Sequence, residues 1–177
     1  ALIQRRQTFA EELGEIVHRI HSQLSGGQEE MELKYEPNVT VDAFAQMLFS
    51  NRERDMRLKT TATGPHRDDI SFVVNGVDIR KFGSQGQQRT AALSLKLSEI
   101  ELVKRLIGDT PVLLLDDVLS ELDSGRQNYL LNSIENIQTL ITCTGLDEFV
   151  NHRFSINRIY KVTDGSVTVE NKQEADR

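Results

Sequence analysis

The chain has 177 residues, of which 38% are apolar and 27% are charged, a balance typical of a soluble globular protein with one substantial core. No run of about 20 apolar residues is present, so we expect no membrane span. The net charge is −6, and no segment stands out as a basic domain. Composition alone therefore does not predict nucleic-acid binding. A lone cysteine, Cys143, excludes an internal disulfide and fits a cytoplasmic location.

The first third of the chain predicts a helix, a strand and a second helix. Apolar residues mostly three or four positions apart over 2–24 predict an amphipathic helix. The segment 31–37 predicts a short strand, and Thr40 can cap the next helix. Because the chain begins on a helix without an initiating methionine, we expect it to be cut from a longer protein. We predict that residues 1–63 are part of a lid-like subdomain.

A second unit is predicted over residues 64–177. Apolar alternation over 70–74 before Asn75-Gly76 predicts a hairpin, which Val77 and Ile79 continue. A long helix is then predicted to end at Gly108, followed by strand, helix and strand. A terminal hairpin completes an α/β order.

The run PVLLLDD carries two carboxylates at the end of an apolar segment. An apolar strand without alternation is typical of the middle of a parallel sheet covered on both faces, and its C-terminal edge is where ligands bind. At that edge Asp116 suits Mg²⁺, and Asp117 suits orienting or deprotonating a water. The alternative is a buried strand whose last carboxylate caps a turn.

The stretch GSQGQQR precedes the long helix. Small residues let a phosphate approach the backbone, and the first amides of a helix point at a bound anion. Ser84, Gly86 and Gln87 are therefore predicted phosphate contacts. An ordinary glycine loop before a helix is the alternative.

Two further motifs are ambiguous. LSGGQ at residues 24–28 is the signature of ABC-type ATPases by its letters, but it closes a helix and precedes a strand, so we predict a turn there. In GPHRDD at 64–69, His66 and Arg67 could reach a phosphate, whereas Asp68 and Asp69 could hold a turn. The turn is the favoured interpretation.

Four segments together, GPHRDD, NGVDIRKFGSQGQQRTAALSLKLSE, LLLDDVLSELD and IYKVTDG, resemble the C-terminal half of the RecF family, DNA replication and repair proteins of the ABC/SMC ATPase superfamily. The resemblance covers nearly the whole chain. It implies an α/β fold: an ABC-type C-terminal lobe, with a parallel sheet and flanking helices, plus a small helical or α+β lid subdomain.

The resemblance also implies roles for individual residues. Ser84, Gln85, Gly86 and Gln87 would form the signature motif, which contacts ATP held by the opposite subunit; Asp116 would hold Mg²⁺, and Ser120 and Asp123 would lie in the D-loop. Asp117 stands where transporters usually have glutamate, and Thr144 where they have the switch histidine. Both departures agree with the RecF family and imply weak hydrolysis.

The sequence contains no G-x-x-x-x-G-K-[ST] pattern, which is the Walker A phosphate loop. The resemblance implies that this loop belongs to a missing N-terminal half, so the chain alone is predicted to be inactive. The intact protein is then expected to dimerise around ATP, bind DNA and assist RecA loading at gapped DNA with RecR and RecO. A non-catalytic dimerisation or docking module and another ABC/SMC-type ATPase are the alternatives, and a transporter domain would need membrane partners.

Overall fold

The computed structural model of the chain describes residues 1–144 and 156–170. It divides into two compact units, residues 1–114 with 137–140, and residues 115–136 with 141 onward. This division lies elsewhere than the predicted boundary between residues 63 and 64. The assignment of residues 1–63 to a lid stays a prediction.

Two long helices form the core of the first unit. Helix α1 (Leu2–Leu24) packs against helix α5 (Gln85–Ile107) and against strand β1 (Met31–Glu36). Both helices match their predicted positions, and α5 ends at Gly108, whose φ of 74° is the left-handed conformation common after a helix C-terminus. The buried side chains of the pair are Ile3, Ala10, Leu13, Ile16, Val17, Ile20, His21 and Leu24 on α1, and Thr90, Ala91, Leu93, Ser94, Leu97, Ser98, Ile100 and Leu102 on α5.

The LSGGQ stretch ends α1, as predicted. Ser25 follows the last helical residue, and Gly26 and Gly27 have φ values of 65° and 77°. The amide of Gly27 donates to the carbonyl of Ser22 at 2.7 Å, which closes the C-terminus of the helix. The prediction of a turn at this position is confirmed.

Strands β1, β2 (Asp69–Val74) and β3 (Val77–Asp78) form an antiparallel sheet in that order. The predicted turn at Asn75-Gly76 is present. The predicted continuation of β3 through Ile79 is wrong, because the Asp78 side chain accepts a hydrogen bond from the Arg80 amide and caps helix α4 (Ile79–Phe82).

Helices α2 (Phe44–Ser50) and α3 (Arg52–Leu58) lie between β1 and β2 in sequence. The predicted second helix therefore begins four residues after Thr40 and is interrupted at Asn51. Neither helix has a buried residue, and Phe49 and Met56 are 78% and 70% exposed. This pair of helices leaves apolar side chains uncovered in the described part of the chain.

Strands β4 (Leu113–Asp116) and β5 (Thr139–Thr142) form a two-stranded parallel sheet. The amide of Leu113 donates to the Gln138 carbonyl, and that of Asp117 donates to the Thr142 carbonyl, with the same sequence separation. Leu113 and Leu115 are buried, whereas Leu114 is 66% exposed. We predicted that both faces of this strand would be covered. Within the described residues only the face of Leu113 and Leu115 is buried, so that prediction is wrong there.

In the second unit, a 3-10 turn (Leu119–Glu121) follows β4 and leads to helix α6 (Ser124–Ser133). Strands β6 (Ile159–Thr163) and β7 (Ser166–Glu170) form the predicted antiparallel hairpin. Asp164 and Gly165 turn it with φ values of 50° and 77°, as a two-residue hairpin loop requires. Of the helices within the described ranges, none has the length and apolar character needed to cross a bilayer.

The GPHRDD motif is organised around Asp68, whose side chain is only 3% exposed. Its carboxylate accepts hydrogen bonds from Arg6 Nη1 at 2.9 Å, Tyr35 Oη at 2.5 Å and the Asn38 amide at 3.0 Å. Burial by itself raises the pKa of Asp68, but the bonds from Tyr35, the Asn38 amide and Arg6 outweigh it, and the pKa lies below its usual range. Asp68 therefore connects α1, β1 and the segment after β1.

The neighbouring polar residues of the motif also have local partners. Asp69 accepts two hydrogen bonds from the Arg80 guanidinium, at 3.0 and 3.1 Å. The His66 Nε2 atom donates to the Thr61 carbonyl at 2.8 Å. These contacts support the interpretation of GPHRDD as a structural turn.

Replacing Asp68 with alanine is expected to lower the free energy of unfolding by about 2–3 kcal/mol at pH 7, because three hydrogen bonds to a charged acceptor are lost. The folded pKa lies below the unfolded one, so this stabilisation is present above the unfolded pKa of about 4 and is lost as the pH falls through the folded pKa. Urea unfolding at pH 7 and pH 3 should show the difference between variant and parent shrinking in acid. The control is Asp69→Ala, which removes an exposed ion pair at the adjacent residue. An equal loss of unfolding free energy in both variants would contradict the structural role assigned to Asp68.

Candidate functional site

Asp116 is the last residue of β4, and Asp117 begins the turn after it, so both carboxylates lie at the C-terminal edge of the parallel sheet. Both are exposed. The Asp117 amide donates to the carbonyl and to Oγ1 of Thr142, at 3.2 and 3.1 Å, and Thr142 Oγ1 donates to Asp116 Oδ1. The end of β5 therefore holds the Asp116 carboxylate and the Asp117 backbone.

Asp117 adopts a left-handed backbone conformation, with φ of 50°. Aspartate adopts this conformation more readily than most residues other than glycine, so it suits the turn that follows β4. The hydroxyl of Ser120 contacts both the Asp117 carbonyl, at 2.8 Å, and Asp117 Oδ1, at 3.0 Å. The predicted D-loop serine thus holds the turn that presents the predicted catalytic carboxylate.

Thr142 was missed by the sequence analysis. It joins Asp116 and Asp117 through one hydroxyl, yet nothing in its immediate sequence marks it as functional. The available signal was positional, since a polar residue at the end of the second parallel strand reaches the same sheet edge as the first.

The other predicted residues of this unit have different surroundings. Asp123 caps α6, accepting from the Arg126 amide at 3.0 Å and from its Nη1 at 2.8 Å. The bond from the Arg126 amide is the largest cause that holds the pKa of Asp123 below its usual value. Thr144 is exposed two residues beyond β5, and among the described residues no hydrogen bond joins it to Asp116 or Asp117. Its predicted catalytic role stays a prediction.

In the first unit, Ser84 caps α5 and is exposed. Its Oγ accepts from the Gln87 amide at 3.2 Å, while Gln87 Oε1 accepts from the Ser84 amide at 3.1 Å, which is a complete capping box. Gln87 is therefore engaged within the chain. The groups left at the tip of α5 for an anion are the first-turn amides of Gln85 and Gly86 and the Ser84 hydroxyl proton.

The two glycines of this motif have different surroundings. A Cβ on Gly83 would lie 2.5 Å from the Ile79 carbonyl oxygen, so a larger residue would clash with the backbone. A Cβ on Gly86 would meet only Ser84 Oγ, at 3.9 Å. Packing within the chain therefore does not require glycine at residue 86, although glycine within a helix costs about 0.5–1 kcal/mol relative to alanine. The space beside residue 86 is open apart from Ser84 Oγ.

The residues present fit Mg²⁺ and a nucleotide only in part. Asp116 offers an exposed carboxylate at a sheet edge, which suits a hard cation that keeps waters and phosphate oxygens as its other ligands. Within residues 1–144 and 156–170, no group of three or more His, Cys, Asp or Glu side chains could hold a metal by itself. The tip of α5 suits a phosphate, and the chain supplies no Walker A loop.

Comparison with known proteins gives a consistent result. The DNA replication and repair protein RecF of Lachnospira eligens is 59% identical over 170 residues, which are 96% of this chain and 47% of that protein. A solved structure of the recombination mediator protein RecF with ATP, in the RecFOR pathway, is 34% identical with a TM-score of 0.80, covering 96% of this chain and 46% of that one.

A solved structure from work on SMC ATPases shares the fold, with a TM-score of 0.56 at 15% identity, and covers 98% of this chain and 92% of that one. No family model matches the chain. The fold is that of the C-terminal lobe of an ABC-type ATPase, as predicted. The chain spans about half the length of the RecF proteins that it matches. With this identity over nearly all of its residues, the chain belongs to the RecF family of DNA replication and repair proteins and corresponds to their C-terminal part.

Proposed function

We propose that the protein containing this chain is an ATP-dependent, DNA-binding recombinational repair protein that dimerises around ATP. Its partners in this proposal are RecR and RecO, and its role is to assist RecA loading at gapped DNA. The similarity to RecF solved with ATP in the RecFOR pathway supports this proposal. Each subunit would act as a slow ATPase, in which hydrolysis times the lifetime of the dimer.

The observation that supports the proposal is that the chain presents two exposed groups of residues suited to a nucleotide site, while its sequence contains no Walker A pattern. Asp116 and Asp117 lie at a sheet edge, Ser84 and Gly86 lie at an exposed helix tip, and no Walker A loop exists in the sequence. In the proposed dimer the carboxylates serve the ATP bound by their own subunit, and the helix tip of α5 contacts the γ-phosphate of the partner's ATP.

The residues at the sheet edge would divide the chemistry between them. Asp116 would hold Mg²⁺, which would neutralise charge on the phosphates when bound. Asp117 would orient a water for in-line attack and accept its proton, since its carboxylate is exposed and held by Ser120. Thr142 would keep the Asp116 carboxylate and the Asp117 backbone in register. The amides of Gln85 and Gly86 would stabilise negative charge that develops on the phosphate.

The proposal predicts that the 177-residue chain alone binds Mg-ATP weakly, with a Kd of about 1 mM or higher, because a phosphate cradle is missing. Isothermal titration calorimetry on this chain and on a full-length RecF-family protein carrying it would test this. Full-length protein should bind at least about 100-fold more tightly. Micromolar Mg-ATP binding by the chain alone would refute the idea of a divided site.

A further inference from the structure

The turn after α1 places an acidic side chain, Glu29, beside the tip of α5. Glu29 Oε1 accepts a hydrogen bond from Gln87 Nε2 at 3.0 Å, and Glu29 Oε2 lies 3.2 Å from His21 Nε2. Its side chain is 20% exposed. The main chain of Glu29 is also fixed, because the Ser25 hydroxyl accepts from its amide at 3.2 Å and contacts its carbonyl at 3.3 Å.

Glu29 completes the hydrogen bonding of Gln87. The Gln87 amide donates to Ser84 Oγ, its side-chain oxygen accepts from the Ser84 amide, and its side-chain nitrogen donates to Glu29. These neighbours also fix which way the side-chain amide points, because the Ser84 amide can only donate and the Glu29 carboxylate can only accept. Gln87 therefore turns its oxygen toward the cap and its NH₂ group away from it.

Behind Glu29, a buried histidine connects the turn to the interior of α5. His21 is fully buried, and its Nδ1 lies 2.9 Å from Ser94 Oγ, whose hydroxyl also contacts the Thr90 carbonyl at 2.7 Å. Ser94, His21 and Glu29 have the order of a hydrolytic triad, but the Ser94 side chain is 0% exposed and no substrate can reach it. The arrangement instead anchors Glu29 from the side opposite Gln87.

The orientation of Gln87 matters for the anion that the tip of α5 would receive. With its oxygen held against the Ser84 amide, the tip presents donors: the Ser84 hydroxyl and the amides of Gln85 and Gly86. Without Glu29 the Gln87 side chain can rotate, and its oxygen can then point an acceptor at an approaching phosphate. The Ser84 amide would also lose its partner.

From this geometry we propose that Glu29 is a positioning residue for the signature tip of α5: it fixes the Gln87 side-chain amide, and through it the donors that contact the partner's ATP. This inference rests on the proposed function. The inference also assigns a role to the LSGGQ turn. Its left-handed residues Gly26 and Gly27 reverse the chain direction, so that Glu29 faces Gln87.

The test uses a full-length RecF-family protein carrying this chain and measures the Mg-ATP concentration that gives half-maximal dimerisation, by sedimentation velocity. Glu29→Ala should raise that concentration about tenfold, since a charge-assisted hydrogen bond is lost. Glu29→Gln should restore it to within about twofold, because a glutamine oxygen can accept from Gln87 Nε2. Glu30→Ala, which removes an exposed carboxylate one residue along, is the matched control and should behave as the parent.

A double variant separates positioning from general stability. In a Gln87→Ala background, Glu29→Ala should have little further effect if Glu29 acts through Gln87. Additive effects, or a glutamine variant as defective as the alanine one, would overturn the positioning role. If the parent protein dimerises with Mg-ATP and Glu29→Ala matches it, the inference about Glu29 alone fails. If the parent does not dimerise with Mg-ATP, the proposed function fails, and the role of Glu29 fails with it.

Discussion

Asp117→Asn in a full-length protein carrying this chain is expected to lower the rate of ATP hydrolysis by about 100-fold or more while leaving ATP-dependent dimerisation intact. The carboxylate is the group proposed to accept a proton from the attacking water, and removal of such a base typically costs 10²–10⁴-fold. Asparagine is the appropriate replacement, because it tolerates the left-handed backbone found at residue 117. Its side-chain oxygen can still accept the hydrogen bond from Ser120.

Single-turnover hydrolysis of labelled ATP measures the first effect, and sedimentation velocity with Mg-ATP measures the second. Asp109→Asn is the control, because Asp109 is an exposed turn aspartate outside the Asp116 and Asp117 cluster. Unchanged hydrolysis in an Asp117→Asn protein that still dimerises would show that the catalytic carboxylate is misassigned. A protein that neither dimerises nor hydrolyses would point to a structural role for Asp117 in its turn.

The elements with strong local signals were predictable from sequence. The apolar period of α1 and α5, the left-handed stops at Gly26 and Gly108, and the Asp164-Gly165 hairpin each depend on neighbours within a few residues. The placement of Ser84 at an exposed helix tip and of Asp116 at a strand end followed from the same local patterns.

What the sequence could not predict depends on contacts between distant residues. Thr142 joins the Asp116 carboxylate to the Asp117 amide only because β5 lies beside β4, and Glu29 reaches Gln87 only because α1 packs on α5. The exposed face of β4 has a related origin. An unbroken apolar run indicates that both faces of a strand are buried, but it does not show which residues bury each face. In the described residues Leu114 is 66% exposed.

The second large effect is expected at the helix tip. Ser84→Arg in the full-length protein should abolish ATP-dependent dimerisation, or raise the required Mg-ATP concentration by at least about 100-fold. The variant removes a helix cap worth about 1 kcal/mol, and its long side chain fills the space that Gly86 leaves open. It should leave binding of ATP to its own subunit nearly unchanged, because the α5 tip is proposed to contact only the partner's nucleotide.

Ala92→Arg is the matched control, because it adds the same side chain at an exposed position two turns farther along α5. Mixing the variant with the parent protein provides a further test. A heterodimer of one Ser84→Arg subunit and one parent subunit retains one intact tip. Its stability should therefore lie between that of the parent dimer and that of the variant dimer. If Ser84→Arg instead weakens ATP binding by the monomer while dimerisation per bound ATP is unchanged, the tip acts within its own subunit. The division of the site between subunits would then be wrong, even though Asp116 and Asp117 kept their proposed roles.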